Sequence, residues 1–209
     1  MTVWDKIYKS YKKDGKPWGS LKDDLLPEFL EFVKNTNFIS RNALDIGCGD
    51  GRYLDYLQKL GFKITGIDSS KTAIEMSRKV LGSKANLIYA EMFGYDYLSN
   101  EYDLVFSLSS IHHGFKKDIS KLIDKIYSSL LPGGFAFITL PDISDIESWD
   151  TFKNNKKLEE GTFSPLSGPE TGLAHSFFNR KEIENMFSEF SSLKLDLNDR
   201  VNWVVIVKK

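Results

Sequence analysis

Residues Ala43 to Leu57 read ALDIGCGDGRYLDYL: an apolar run stops at three glycines spaced two apart, and a helical pattern starts at once. A strand that turns this sharply into a helix is the opening of a βα unit, and the rest of the chain repeats it. "NALDIG" is a buried strand, and Gly51 to Leu60 follows as a helix with Tyr53, Leu54, Leu57 and Leu60 on one face. "FKITGID" is a second strand, after which Ser69 or Ser70 caps a helix running to about Leu81, just before Gly82. "NLIYA" is a short strand, and the unbroken apolar centre of "YDLVFSL" implies burial on both faces. Ile119 to Leu131 carries Ile119, Leu122, Ile123, Ile126 and Leu130 at helical spacing and is stopped by "PGG", and "FAFITL" is a fifth strand.

Such alternation gives an α/β fold: a parallel sheet with helices on both faces and right-handed crossovers. The ending differs. After a helix over Arg180 to Phe190, "LKLDL" and "WVVIVK" are separated only by "NDRVN", too short for a parallel crossover, so the last strand is antiparallel. No internal repeat or low-complexity tract interrupts the pattern. At 209 residues with 41% hydrophobic side chains, the chain suits one sizeable core, hence a single domain. Within it, residues 1–40 read as amino-terminal helices broken by a flap, "KDGKPWGS"; 41–140 as the alternating core; 141–178 as a long weakly periodic lid; and 179–209 as the last helix and closing hairpin. A connection as long as the third of these is usually functional.

Charge and cysteine content narrow the partners. Lysines and arginines number 28 against 29 acids, a net charge of −1, so no overall field draws the protein to nucleic acid or anionic lipid. Cys48 is the only cysteine, which excludes an intrachain disulfide and a thiolate cage. With no signal-peptide core at the start and no apolar run of membrane-spanning length, the expected compartment is the cytoplasm.

In an open parallel sheet the loop after the first strand faces the ligand crevice. Gly47, Gly49 and Gly51 let that backbone turn and approach a ligand without Cβ atoms in the way. A dinucleotide fingerprint needs its last glycine at residue 52, which is Arg52. Asp45 at the end of the strand would repel phosphate and suit a cationic ligand.

"LDIGCGDGRYLDYL" resembles the first motif of the class I S-adenosylmethionine-dependent methyltransferases, and further pieces match in order up to Pro141. "ITGIDSS" resembles the second motif, which implies that Asp68, with Ser69 beside it, meets the ribose hydroxyls. "YAEMF" resembles the third, implying adenine contacts from Glu91 and Met92, although aspartate is commoner at the place of Glu91. "EYDLVFSLSSIHH", which contains Ser107, and "LLPGGFAFITLP" resemble the fourth- and fifth-strand motifs. The resemblance implies a Rossmann-like seven-stranded sheet of order 3-2-1-4-5-7-6 with an antiparallel last strand, and S-adenosylmethionine as cofactor, with S-adenosylhomocysteine as product. Asp45, Gly47, Cys48, Gly49 and Gly51 then form the cofactor turn. Trp18, in "KPWGS", is either a core anchor or part of the site cover; similar Pro-Trp segments precede the first motif in some tellurite-resistance-type and thiopurine-type members.

Methyl transfer is an in-line displacement from a sulfonium that is already activated, so the protein has to position the acceptor and, where that is acidic, remove a proton. His112, His113 and His175 all fall beyond carboxyl ends of strands and are the candidate catalytic residues. Their spacing supports no metal site, and none is expected. "SLSSIHH" stands where an Asn/Asp-Pro-Pro-aromatic tetrad would clamp a base or glutamine amide, and the sole cysteine belongs to the turn. A small-molecule acceptor is therefore the first expectation, for a monomer or homodimer that binds neither nucleic acid nor membrane. The alternatives are a protein or RNA acceptor, a nucleotide-dependent oxidoreductase and a non-catalytic ligand-binding domain.

Overall fold

The computed structural model describes residues 2–14, 25–146, 154–199 and 202–209. The alternating strands form one seven-stranded sheet: β1 (Asn42–Ile46), β2 (Lys63–Asp68), β3 (Asn86–Tyr89), β4 (Tyr102–Ser107), β5 (Leu130–Pro141), β9 (Ser192–Leu197) and β10 (Asn202–Lys208). Their spatial order is β3-β2-β1-β4-β5-β10-β9, which is 3-2-1-4-5-7-6 when only these strands are counted. The first five pair in parallel, and β10 runs antiparallel to both β5 and β9.

Every residue of β4 is buried, as its unbroken apolar centre requires in a central strand. Alternate strand residues feed two cores. On one face Ala43, Ile64, Leu104, Phe106 and Phe137 pack with α2 (Pro27–Asn35), α3 (Arg52–Lys59) and α4 (Lys71–Leu81). On the other, Leu44, Ile46, Val105, Ile138 and Leu140 pack with α5 (Lys116–Ser129) and α6 (Arg180–Met186). The crossover helices therefore change faces between β1 and β4, and such a switch point opens a crevice at the carboxyl ends of those two strands.

Several boundaries differ from the sequence reading for local reasons. α3 stops at Lys59; Leu60 is its C-cap and is 40% exposed, so it does not continue the apolar face. Ser70, rather than Ser69, caps α4, accepting from the Ala73 amide at 3.1 Å. α5 ends at Ser129, and "PGG" lies inside β5 as an irregularity, since Tyr102 pairs with Leu130 while Leu104 pairs with Phe135. α6 is only Arg180–Met186, closed at its start by an Asn179–Glu182 capping box.

Residues 141–178 are more ordered than their weak periodicity suggests. Their described part contains a second, antiparallel sheet of β6 (Asn155–Glu159), β7 (Thr162–Pro165) and β8 (His175–Ser176). The flap sequence "KPWGS" with Trp18, and the aromatic residues Trp149 and Phe152, lie outside the described residues. Upstream of the flap, α1 (Val3–Asp14) packs on α4 at the carboxyl end of the sheet.

Candidate active site

The glycine turn is shaped by backbone bonds from its neighbour strand. Amides of Gly47 and Cys48 both donate to the Ile67 carbonyl, at 2.8 and 3.0 Å, so the chain leaves β1 in a tight arc beside the end of β2. Gly47, Gly49 and Gly51 have φ of 83°, 55° and 85°, a region that favours glycine. A Cβ on Gly47 would overlap the Ser110 side chain, and one on Gly49 the Tyr8 hydroxyl. Cys48 is buried, its sulfur against Gly66, and burial first, then Asp45 and Asp68, push its thiol pKa up. Its side chain packs between the turn and β2.

Asp68 closes the turn from below. Its Oδ2 accepts from the Gly49 amide at 2.9 Å and its Oδ1 from the Ser70 amide at 2.8 Å. Burial nevertheless raises its pKa from the ordinary 3.8 to about 6, because desolvation outweighs the two backbone donors and Glu91 adds repulsion. Asp45 is fully enclosed behind it, and burial, followed by Asp68 and Asp50, pushes its carboxyl well up. Glu91 is exposed beyond β3, while Met92 is half-buried against the α5-side core, its carbonyl accepting from the Tyr97 hydroxyl at 2.8 Å. Ser107 lies within the sheet: its hydroxyl donates to the Ile46 carbonyl at 2.7 Å and ties the ends of β4 and β1 together.

Across the crevice, the loop after β4 makes an abrupt turn at Ser109, a non-glycine residue with φ of 54° whose amide is held by Thr139 Oγ1 at 2.8 Å. This turn brings Ser110 against Gly47 and carries His112 and His113 into the site. β8 is bonded to the same loop, the Ser176 amide to the His112 carbonyl at 2.8 Å and the Ser176 hydroxyl to the Gly114 carbonyl at 2.7 Å. His175 is thereby delivered to the other two. Ring centroids of His113 lie 3.9 Å from His112 and 4.6 Å from His175.

His113 Nδ1 faces the Ser110 carbonyl at 2.8 Å, so that nitrogen carries the proton and Nε2 keeps a lone pair. Burial, then His175, lower its pKa to about 4, leaving it neutral near pH 7. His112 is likewise lowered well below the ordinary imidazole value, again chiefly by burial. His175 is fully buried, with Nε2 3.0 Å from Glu170 Oε2.

α1 supplies residues that no motif reveals. Asp5 Oδ1 accepts from the Thr72 amide at 3.0 Å and the Thr72 hydroxyl at 2.8 Å, which latches the helix onto the start of α4. Tyr8 covers Gly49, the Tyr11 hydroxyl donates to Asp50 at 3.2 Å, and Trp4 stands edge-on to His113 at 4.5 Å. The amphipathic spacing of Trp4, Ile7, Tyr8 and Tyr11 was the available signal. A helix face that binds a loop, however, reads like any core-facing stripe.

Known proteins place the chain. A family model described as a methyltransferase domain matches residues 18–190. The chain belongs to the class I S-adenosylmethionine-dependent methyltransferases. This methyltransferase chain is 28% identical over 118 residues to the ubiquinone biosynthesis O-methyltransferase of Hydrogenovibrio crunogenus, covering 54% of the chain and 48% of that protein. It is 32% identical over 168 residues to the tRNA (carboxymethyluridine(34)-5-O)-methyltransferase of Arabidopsis thaliana, covering 74% of the chain and 38% of that protein. The matches thus span less than half the length of either relative. A solved structure from Pyrococcus horikoshii OT3 superposes with a TM-score of 0.76 at 16% identity, covering 100% of the chain and 99% of its own. The family, its fold and its S-adenosylmethionine cofactor are as the motifs implied; the tellurite-resistance and thiopurine subtype has no support among these matches.

Proposed function

We propose that this methyltransferase moves the methyl group of S-adenosylmethionine to a small-molecule acceptor enclosed between the glycine turn and the histidine loop. The observation that carries the reading is the convergence of Trp4, His112, His113 and His175 at the carboxyl end of β4, opposite a turn that nothing larger than glycine fits. In this reading Gly47, Cys48, Gly49 and Gly51 offer their backbone to the cofactor. Asp45, buried behind the turn, orients it, Asp68 accepts from the ribose diol through the lone pairs its two amide bonds leave free, and Glu91 and Met92 border the adenine. Ser107 acts by holding the ends of β4 and β1 together, and Ser69 stands beside Asp68 at the ribose. Transfer breaks the methyl–sulfur bond and forms one to the acceptor, the sulfonium becomes a neutral thioether, and an acidic acceptor's proton passes to His113 Nε2. The net charge of −1 favours a small acceptor over RNA. No helix among the described residues is long and apolar enough to cross a membrane; a cytoplasmic monomer or homodimer completes the proposal.

Incubation with methyl-labelled cofactor, separately with a metabolite extract, total tRNA and total protein, tests it. Label in a low-molecular-weight product is expected. Label confined to RNA would favour the activity of the Arabidopsis relative, and tight NAD binding without S-adenosylhomocysteine binding would favour an oxidoreductase.

The raised pKa of Asp68 gives a pH signature with two opposite signs. Its neutral form is favoured by folding, so this group costs stability progressively as pH rises from 3.8 to about 6. Its charged form accepts the ribose hydroxyls, so affinity for S-adenosylhomocysteine should climb from about pH 5 to about pH 7 and then level off. Calorimetry across that range checks it; a flat profile would remove Asp68 from the binding step.

A further inference from the structure

Methyl transfer alone does not require three buried imidazoles in mutual contact. One ring beside the reacting atom serves a base, whereas three desolvate several polar groups at once. One nitrogen from each of His112, His113 and His175 lies within 4.8 Å of the other two. His112 Nδ1 is buried and meets no hydrogen-bond partner among the described residues, which is unusual for a buried polar atom. The remaining rings are held from behind, His113 by the Ser110 carbonyl and His175 by the Glu170 carboxylate at 3.0 Å. Carbonyl and carboxylate partners of this kind fix the tautomer and orientation of imidazoles that bind metal.

We propose that His112, His113 and His175 bind one divalent transition ion of the zinc class, whose open position takes an oxygen atom of the acceptor. Tetrahedral Zn–N bonds of about 2.0–2.1 Å place ligand nitrogens about 3.3 Å apart, so the widest separation here, 4.8 Å, closes by about 1.5 Å through side-chain rotation. His175 gives up its 3.1 Å contact with the Leu173 carbonyl and keeps Glu170. An all-imidazole set suits zinc, copper or nickel, whereas magnesium and calcium demand oxygen ligands. Three protein ligands and a vacancy are the arrangement of a catalytic rather than a structural zinc site. The inference rests on the small-molecule reading and narrows it: the acceptor carries a hydroxyl or phenol, and because the ion would take the His113 Nε2 lone pair, that oxygen would lose its proton to solvent through coordination rather than to His113.

The test titrates Zn²⁺ alone into chelator-stripped protein by calorimetry, follows the melting temperature, and measures S-adenosylhomocysteine binding in the same samples. The wild type should take up a single Zn²⁺, melt higher with it and ignore Mg²⁺. His112→Ala and His175→Ala should weaken Zn²⁺ binding by more than roughly 100-fold and Glu170→Gln by about 10- to 100-fold. Retained S-adenosylhomocysteine binding certifies each fold, and His175→Gln replaces an alanine variant that fails that check. A wild type without Zn²⁺ binding, or with binding that survives removal of all three histidines, overturns the site. If S-adenosylhomocysteine still binds in that case, the methyltransferase reading stands; a folded wild type that does not bind it would overturn that reading instead.

Discussion

Replacing Asp68 with alanine should weaken S-adenosylhomocysteine binding by on the order of 1.5–3 kcal/mol, roughly 10- to 150-fold, as expected for losing hydrogen bonds to a charged group. The side chain has two tasks. Its oxygens receive the Gly49 and Ser70 amides, which sets the turn, and in the proposed reading their remaining lone pairs accept from the ribose diol. Alanine removes both functions. Asparagine keeps the volume but presents an NH2 group to one of two N–H donors, so Asp68→Asn should also lose affinity despite its small change in shape. Calorimetry with near-ultraviolet circular dichroism separates ligand loss from collapse of the fold. Affinity within twofold of the wild type in a folded alanine variant would assign the ribose to another residue.

The glycine variants should be at least as severe. Valine at residue 47 or 49 places a β-branched side chain at positive φ, a strain on the order of 1–3 kcal/mol, and adds a steric overlap. The two overlaps differ in kind. Gly47 faces Ser110, part of the loop pinned by Thr139, whereas Gly49 faces Tyr8 on α1, a helix latched to α4 by Asp5. Gly49→Val should therefore displace α1 and abolish detectable S-adenosylhomocysteine binding while the sheet still melts cooperatively. Gly47→Val should abolish binding and lower the melting temperature further. Calorimetry and thermal denaturation read both, and near-normal affinity in Gly49→Val would mean that the turn does not approach the ligand.

Legibility of the fold in the sequence followed from distance along the chain. The sheet strands and the antiparallel ending were readable because each rests on local periodicity or a short connection, as "NDRVN" shows, whereas the strand order came from the resemblance to the family. The glycine turn and Asp68 were readable because they are adjacent to strand ends. The histidine cluster was not, since His175 is brought to His112 by bonds of Ser176 to the loop after β4, contacts between remote segments. The contacts of Trp4, Asp5 and Tyr8 were not legible either, because a helix face that binds a loop carries the same apolar spacing as one that faces a core. The β6–β8 sheet escaped notice because its strands are short and rich in lysine, glutamate and serine, without the apolar alternation of a core-facing strand.

The place of β10 has a consequence for how the molecule is made. Spatially it lies between β5 and β9, yet it follows both in sequence, and its pairing with β5 runs from Asn202 opposite Pro141 to Lys208 opposite Phe135. During synthesis, β5 must therefore wait with its outer edge unpaired while the second sheet, α6 and β9 emerge. An open edge of that length is a template for other chains. Loop closure across such a separation is slow relative to the local βα units, which predicts that the closing hairpin pairs last. Until it does, β5 is the segment that other chains can reach, and β10 then shields it with β9 as the outermost strand.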